Sequence, residues 1–122
     1  MRAQPLYRTS ADTAYVGDPL QGIGEHLADS SVQLFLTSPP FALHRQKEDG
    51  NASERNYVDW FRDFAEIMWT KLTPDGSLVI DLGGAWRKGK PVRSLYQFKL
   101  LIELCEGLGD KSFFLAQDLL LA

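Results

Sequence analysis

The fold of this chain is decided by residues 32–41, which read VQLFLTSPPF. Val32–Leu36 is mostly apolar and predicts a buried strand. Two successive prolines, Pro39 and Pro40, cannot continue a hydrogen-bonded ladder, so the strand stops there and the backbone that follows is stiff. In open α/β sheets ligands bind at the carboxyl ends of strands, and we therefore expect Ser38 to lie in a ligand-binding turn.

The turn after this strand is rich in hydrogen-bond acceptors. It presents the Ser38 hydroxyl and a row of carbonyl groups without competing N–H groups, and the ring of Phe41 follows. Such a turn suits the binding of a planar base through its amino group. A purely structural turn is the alternative, but a long polar stretch, residues 42–55, comes next, and stretches of that length usually serve function or mobility.

The composition limits the classes of protein to which the chain can belong. Its 122 residues, 44% hydrophobic and 24% charged, are typical of one soluble globular domain. The net charge of −3 gives no overall attraction to nucleic acid, so such contact requires a local basic patch. A single cysteine, Cys105, excludes an internal disulfide and predicts a reducing, cytoplasmic compartment. No apolar stretch is long enough to span a membrane.

The order of predicted elements is that of an α/β fold. Residues 1–13 are polar and without periodicity, and we expect an irregular leader there. A strand over Ala14–Val16, a helix over Leu20–Leu27 and the strand over residues 32–37 form a strand–helix–strand unit, the building block of a parallel sheet. The sequence next predicts a helix over Glu54–Leu72, a turn over Thr73–Gly76 and a strand over Ser77–Leu82. It then predicts a loop over Ala85–Ser94, a helix over Leu95–Leu108 and a further strand from Phe113.

Several segments together resemble one family. Residues 37–41, TSPPF, resemble motif IV of the amino-group DNA methyltransferases, and this form is similar to the N4-cytosine type rather than the adenine type. Further segments match the family's layout in the same order: Gly17-Asp18, Ser31-Val32, Tyr57–Phe61, Leu72–Ser77 and Asp81–Gly84. The resemblance implies that residues 14–122 are the catalytic-half fragment of a permuted S-adenosylmethionine-dependent domain. The implied fold is a partial Rossmann-like methyltransferase sheet of parallel strands with flanking helices, incomplete relative to the full family domain.

The resemblance also implies a chemistry, the transfer of a methyl group to the exocyclic amine of a base that is flipped out of the duplex. The lone pair of that amine is delocalised into the ring, and acceptors on its two N–H bonds would make it nucleophilic. Ser38 Oγ and the Pro39 carbonyl are the candidate acceptors, in a catalytic turn that includes Pro40. Phe41 is the candidate ring for stacking on the flipped base. Neither a metal nor a covalent intermediate is required.

Three residues are candidates for binding the cofactor, S-adenosylmethionine, by the same resemblance: Asp18, Thr37 and Ser38. The family places the carboxylate of Asp18 near the adenine amino group. The alternative for Asp18 is structural, because an acidic residue at a helix N-terminus stabilises the helix. Both interpretations stay open. The cofactor glycine motif of the family, Phe-x-Gly-x-Gly, does not occur in this chain.

Basic residues gather in two parts of the chain, a short segment that contains Arg45 and Lys47 and the segment between Asp81 and Glu103. Between Asp81 and Glu103 there are five basic residues and no acidic one. A solvated loop is the default explanation, and contact with DNA phosphates is the sharper one, which predicts strong salt dependence. The candidate DNA-binding residues are Arg45, Lys47, Arg87, Lys88, Lys90 and Arg93.

The family's target-recognition and cofactor-binding portions have no counterpart in the sequence. We therefore expect a fragment of a site-specific methyltransferase of a restriction-modification system, acting on double-stranded DNA as a homo-oligomer or with a complementary half. Two alternatives stay open. One is an inactive remnant that serves as a DNA-binding or oligomerising module, and the other is an N6-adenine enzyme.

Overall fold

The computed structural model describes residues 3–40, 50–87 and 89–118, with the backbone alone described over residues 50–53. The chain divides into two compact units. The first unit comprises Met1–Leu36 and Ile67–Val79, and the second comprises Thr37–Glu66 and Ile80–Ala122. The second unit therefore begins where the strand over residues 32–37 ends.

The first unit opens with an antiparallel hairpin, which corrects the prediction of an irregular leader over residues 1–13. Strand β1 (Gln4–Arg8) pairs with β2 (Thr13–Val16). The register shifts between Pro5 and Tyr7, so Leu6 has no direct partner on β2. Every β1 side chain is exposed, so this strand has no buried face and no apolar alternation by which the sequence could reveal it.

Helix α1 (Pro19–His26) follows β2 through a turn at Gly17. Gly17 has a φ of 139°, which glycine adopts readily. The backbone N–H of Leu20 donates to Asp18 Oδ1 at 2.9 Å, so the Asp18 carboxylate caps the helix. The predicted helix over residues 20–27 is confirmed, with each end displaced by a single residue.

Strands β3 (Val32–Thr37) and β4 (Leu72–Ile80) form a parallel two-stranded sheet. The predicted β3 and the predicted α/β class, with parallel strands and flanking helices, are confirmed. The turn predicted over Thr73–Gly76 lies within β4, which is a correction. Pro74 is compatible with extended backbone where no N–H donor is needed, so turn-forming residues alone did not end the strand.

Helix α2 (Gly50–Lys71) begins before Glu54, the predicted start. The polar residues of its first turn carry no apolar periodicity, so they were assigned to the preceding loop. In the second unit this helix buries Tyr57, Phe61 and Ala65 at helical spacing. Neither α2 nor another described helix is long and apolar enough to cross a membrane.

Helix α3 (Tyr96–Glu106) buries Tyr96, Leu100 and Leu104 on one face, in agreement with the prediction over residues 95–108. A single 3₁₀ turn follows. The strand predicted from Phe113 is absent from the described residues 113–118, which is a correction. The Phe113 N–H donates to the Leu104 carbonyl of α3, and an apolar run without a neighbouring strand has no ladder to join.

Candidate active site

The Ser-Pro-Pro turn lies beside the end of β4. The backbone N–H of Asp81 donates to the Thr37 carbonyl at 2.9 Å, so the carboxyl ends of β3 and β4 meet at one edge. Pro39 is buried, whereas Ser38 and Pro40 are exposed. The buried ring anchors the turn, and the Ser38 hydroxyl is accessible to a ligand.

Asp81 is a candidate that the sequence analysis missed, because it appeared there only within a family segment. Its exposed side chain comes directly after β4, just as Ser38 comes directly after β3. Residues that follow neighbouring parallel strands share one edge of the sheet. An acidic residue near the end of the strand predicted over Ser77–Leu82 was the signal that could have identified it.

The segment after Asp81 is held by α3. The Tyr96 hydroxyl donates to the Gly83 carbonyl. Burial raises the pKa of Tyr96, so this hydroxyl keeps its proton and remains a donor. A Cβ atom at Gly84 would lie 3.1 Å from Gln97 Nε2, and the glycine therefore allows a close approach that a side chain would obstruct.

Residues 85–87 pair antiparallel with residues 92–94 in a small hairpin, here the basic hairpin, where the sequence predicted a loop. Trp86 pairs with Arg93 across it, and the Ser94 N–H donates to the Ala85 carbonyl at 2.7 Å. The Arg93 guanidinium carbon lies 4.5 Å from the centroid of the Trp86 ring, in a cation–π contact. Both side chains are exposed, so the hairpin presents an aromatic ring and a cation together.

A buried carboxylate, Glu54 of α2, holds the basic hairpin. Its Oε1 accepts from Ser94 Oγ at 2.8 Å and its Oε2 accepts from Lys99 Nζ at 2.7 Å, while Arg87 Nε lies 3.5 Å from Oε1. Glu54 has 0% exposure. Burial by itself would raise the pKa of Glu54, but the hydrogen bonds from Lys99 and Ser94, with the charges of Lys99 and Arg87, outweigh it and lower the pKa.

The lowered pKa of Glu54 predicts a pH-dependent contribution to stability. Because the folded pKa lies below the ordinary value of 4.5, the contribution is fully present above that value and is lost as pH falls through the folded pKa. Urea unfolding of the wild type and of Glu54→Gln at a series of pH values measures it. We expect the difference in unfolding free energy to shrink from neutral to acid pH, and a constant difference would contradict the ionised carboxylate.

Sequence reasoning assigned Glu54 only to the start of a helix. The residue nevertheless lies three positions before Tyr57 and seven before Phe61, on the stripe that α2 buries. A carboxylate on such a stripe requires partners, because a buried unpaired charge is strongly unfavourable. Helical spacing could therefore have marked Glu54 as buried, although its partners, from residue 87 onward, could not be inferred from that spacing.

The predicted DNA-binding residues that the structure describes differ in their exposure and in their partners. Lys90 and Arg93 are exposed on the basic hairpin. The Arg87 side chain is 30% exposed and paired with Glu54, so the structure gives this cation an intramolecular partner. Four predicted site residues lie outside the described residues: Phe41, Arg45, Lys47 and Lys88.

In the first unit, a cavity of about 220 Å³ is lined by residues of β2 and α1 but not by Asp18 itself. The residues on either side of Asp18, Gly17 and Pro19, line it together with mainly apolar neighbours, and Tyr15 in its wall stacks on His26 at 4.4 Å. One carboxylate oxygen of Asp18 caps α1, so Asp18 has the structural role of a carboxylate at a helix N-terminus. The second oxygen is a further acceptor, so the cap does not exclude a ligand.

Neither a metal centre nor a reactive thiol emerges from the part of the chain that the structure describes. Within it, no group of three or more His, Cys, Asp or Glu side chains could hold a metal ion. Burial raises the pKa of the Cys105 thiol, and the charge of Glu106 raises it further. Cys105 is half-buried, and a thiol that keeps its proton is a poor nucleophile.

Three comparisons with known proteins agree. A family model for DNA methylases matches residues 32–119. The type II methyltransferase M.PvuII of Proteus hauseri is 50% identical over 115 residues, which are 94% of this chain and 33% of that protein. The solved structure of the PvuII DNA methyltransferase (cytosine-N4-specific) matches with a TM-score of 0.75 and 47% identity, over 86% of this chain and 37% of the other. The chain thus spans about a third of the length of these relatives.

Proposed function

The chain belongs to the DNA methylase family, and from that membership we propose that it carries the catalytic portion of a site-specific DNA methyltransferase of a restriction-modification system. The methyl donor is S-adenosylmethionine, and the acceptor is the exocyclic N4 amine of a cytosine in double-stranded DNA. The observation that carries the proposal is the exposed Ser38 in a turn joined to Asp81 at the carboxyl edge of the sheet. Similarity to a cytosine-N4-specific enzyme favours cytosine over adenine.

The Ser-Pro-Pro turn activates the amine in this proposal. The Ser38 hydroxyl oxygen and the Pro39 carbonyl accept hydrogen bonds from the two N–H groups of the amine, which draws the lone pair of N4 out of conjugation with the ring. Pro39 is buried, so its carbonyl is held in place before the base arrives, and a preorganised acceptor needs little rearrangement during the reaction. Holding the amine in line with the methyl group supplies much of the rate.

Methylation of an amine also releases a proton. Transfer of the methyl group would form a bond from N4 to the methyl carbon and break that carbon's bond to sulfur, and one N–H proton of the amine would then have to leave. The Asp81 carboxylate is suited to accept it, because Asp81 follows β4 at the edge where Ser38 follows β3. The hydrogen bond from Tyr96 to Gly83 holds the segment in which Asp81 lies.

S-adenosylmethionine supplies an electrophilic methyl group on a sulfonium when it is bound. Two features of the first unit suit its adenine: a cavity lined by the chain neighbours of Asp18 has apolar walls for a ring, and the Asp18 carboxylate, although it does not line that cavity, has a second oxygen that can accept from an amino group. Thr37 and Ser38 are proposed as further cofactor contacts on the family pattern alone.

Two substitutions at Asp18 separate its structural role from its proposed cofactor role. Asparagine is as good a helix cap as aspartate, whereas alanine is not. We expect calorimetric titration of S-adenosylmethionine to show about tenfold weaker binding for both Asp18→Asn and Asp18→Ala, while only the alanine variant loses about 1 kcal/mol of stability. Wild-type affinity in Asp18→Asn would leave Asp18 as a helix cap alone.

The proposed partners are double-stranded DNA and a second polypeptide segment. Lys90 and Arg93 contact phosphates in this proposal, and Arg45, Lys47 and Lys88 are further candidates for such contacts on the sequence pattern alone. Phe41 is the candidate ring for stacking on the flipped base, a contact of about 1–3 kcal/mol. In the first unit, the Leu34 and Leu36 side chains share one face of β3 and are 55% and 71% exposed. A complementary half, or a second copy of the chain, would cover that apolar face.

Reconstitution tests the proposal. The remaining two-thirds of the Proteus hauseri relative, produced as a separate polypeptide, is mixed with this chain to give the reconstituted enzyme. We expect transfer of labelled methyl groups from S-adenosylmethionine to duplex DNA by the mixture and by neither part alone. Absence of transfer, together with a stable homodimer of this chain in solution, would contradict the proposal and support the oligomerising module instead.

A further inference from the structure

We propose that Glu54 is a positioning residue for DNA binding, because its buried carboxylate holds the basic hairpin in the conformation that presents Trp86 and Arg93 to duplex DNA. The inference rests on the proposed function, which supplies DNA as the ligand. Glu54 has no exposed surface, so it acts through the hairpin and not by contact with the substrate.

A single carboxylate ties together both strands of the basic hairpin. Arg87 lies on the first strand and Ser94 on the second, and both reach Glu54 Oε1, at 3.5 and 2.8 Å. Lys99 Nζ of α3 donates to the other carboxylate oxygen, Glu54 Oε2, at 2.7 Å. The Ser94 hydroxyl also accepts from the Tyr96 N–H at 3.2 Å, so the second strand is joined to the start of α3 through the same contact.

The alternation of side chains along the hairpin separates its two faces. Successive residues of a strand point to opposite faces, so Arg87 and Ser94 face Glu54 while Trp86 and Arg93 share the other face. The Trp86 side chain is 56% exposed and carries the Arg93 guanidinium over its ring. The Arg93 guanidinium, held over the Trp86 ring, is placed to pair with a DNA phosphate, and such contacts bind a duplex without reading its sequence.

Neutralising the Glu54 carboxylate changes the affinity for DNA in opposite directions, depending on whether Glu54 positions the hairpin or acts only through its charge. Glu54→Gln removes one negative charge and leaves Arg87 and Lys99 without an anionic partner, so a count of charges predicts tighter binding to DNA. If the carboxylate instead holds the hairpin, its loss loosens Trp86 and Arg93, and ordering them on binding then costs affinity. The sign of the change in affinity therefore distinguishes the two.

Fluorescence anisotropy with a short labelled duplex of mixed sequence measures this sign. We expect Glu54→Gln to bind about tenfold more weakly than the wild type. The matched control is Asp59→Asn, on the same helix, with the same change of charge, an exposed side chain and a partner, Arg55, at 3.9 Å. The control should bind within about twofold of the wild type or more tightly. Equal or tighter binding by Glu54→Gln would overturn the proposal.

Hydrogen exchange provides a second readout that needs no DNA. The N–H groups of Arg87 and Ser94 donate to backbone carbonyls within the hairpin, so their protection reports whether it is held. We expect Glu54→Gln to lose that protection while the middle of α2 keeps its own, and unchanged hairpin protection would overturn the proposal. Should Glu54→Gln fail to fold, Ser94→Ala, which removes one hydrogen bond to the carboxylate, is expected to show the same two changes, and their absence would overturn it as well.

The two readouts also separate this inference from the proposed function. A wild-type chain that shows no affinity for the duplex would contradict the DNA contact of the proposed function. Loss of hairpin protection in Glu54→Gln would still be expected in that case, and its absence would count against Glu54 alone.

Discussion

Replacement of Ser38 by alanine is expected to lower kcat of the reconstituted enzyme by about 10²–10³-fold, the range found when one preorganised hydrogen-bonding group is removed from an active site. The Ser38 hydroxyl is exposed at the edge of the sheet, and its proposed partner is the amine whose nucleophilicity rises in the transition state. The interaction strengthens as the reaction proceeds, so kcat should fall with little change in KM for DNA.

The matched control for this substitution is Ser77→Ala. Ser77 is also exposed, but it lies within β4 and not at the end of a strand. We expect the control to retain wild-type kcat. Wild-type turnover in Ser38→Ala would show that the hydroxyl is not an acceptor for the amine, and a rise in KM with unchanged kcat would assign Ser38 to binding alone.

The second large effect concerns stability. Glu54→Ala is expected to lower the free energy of unfolding by about 3 kcal/mol, because removing one partner of a buried ion pair leaves the others uncompensated. The value lies at the lower end of the usual range because the Lys99 side chain is 47% exposed and water can solvate it. Urea unfolding measures the change as a lower midpoint with an unchanged slope.

The control for this prediction is Asp59→Ala, on the same helix. The Asp59 side chain is 61% exposed and lies 3.9 Å from Arg55, and such surface pairs contribute about 0–1 kcal/mol. If Glu54→Ala were no more destabilising than this control, the buried carboxylate would not be the centre of the network that the structure shows around it.

Features set by local patterns could be predicted from the sequence. The strand over residues 32–37, α1 and α3 have clear apolar periodicity and were found close to their expected bounds. Strand β1 could not be found in this way, because it has no buried face, and the apolar run after Phe113 looked like a strand although the described part of it pairs with none. Periodicity reports burial, and it reports strand formation only where a partner strand exists.

In the candidate site, too, only the residues marked by a local sequence pattern could be predicted. The Ser-Pro-Pro turn was identified from a short motif, and the structure places it at a strand end. Arg87 lies 3.5 Å from Glu54, which is 33 positions earlier in the chain, and a count of basic residues cannot reveal this intramolecular pair. Asp81 acquires its significance from a hydrogen bond to Thr37 across the sheet, which no local pattern predicts.

The most direct test of the account identifies the methylated base. Duplex DNA that has been incubated with the reconstituted enzyme and S-adenosylmethionine is digested to nucleosides and analysed by mass spectrometry. We expect N4-methylcytosine, formed with the wild-type chain and greatly reduced with Ser38→Ala. N6-methyladenine in its place would contradict the assignment to cytosine, and transfer to neither base would contradict a catalytic role for the Ser-Pro-Pro turn.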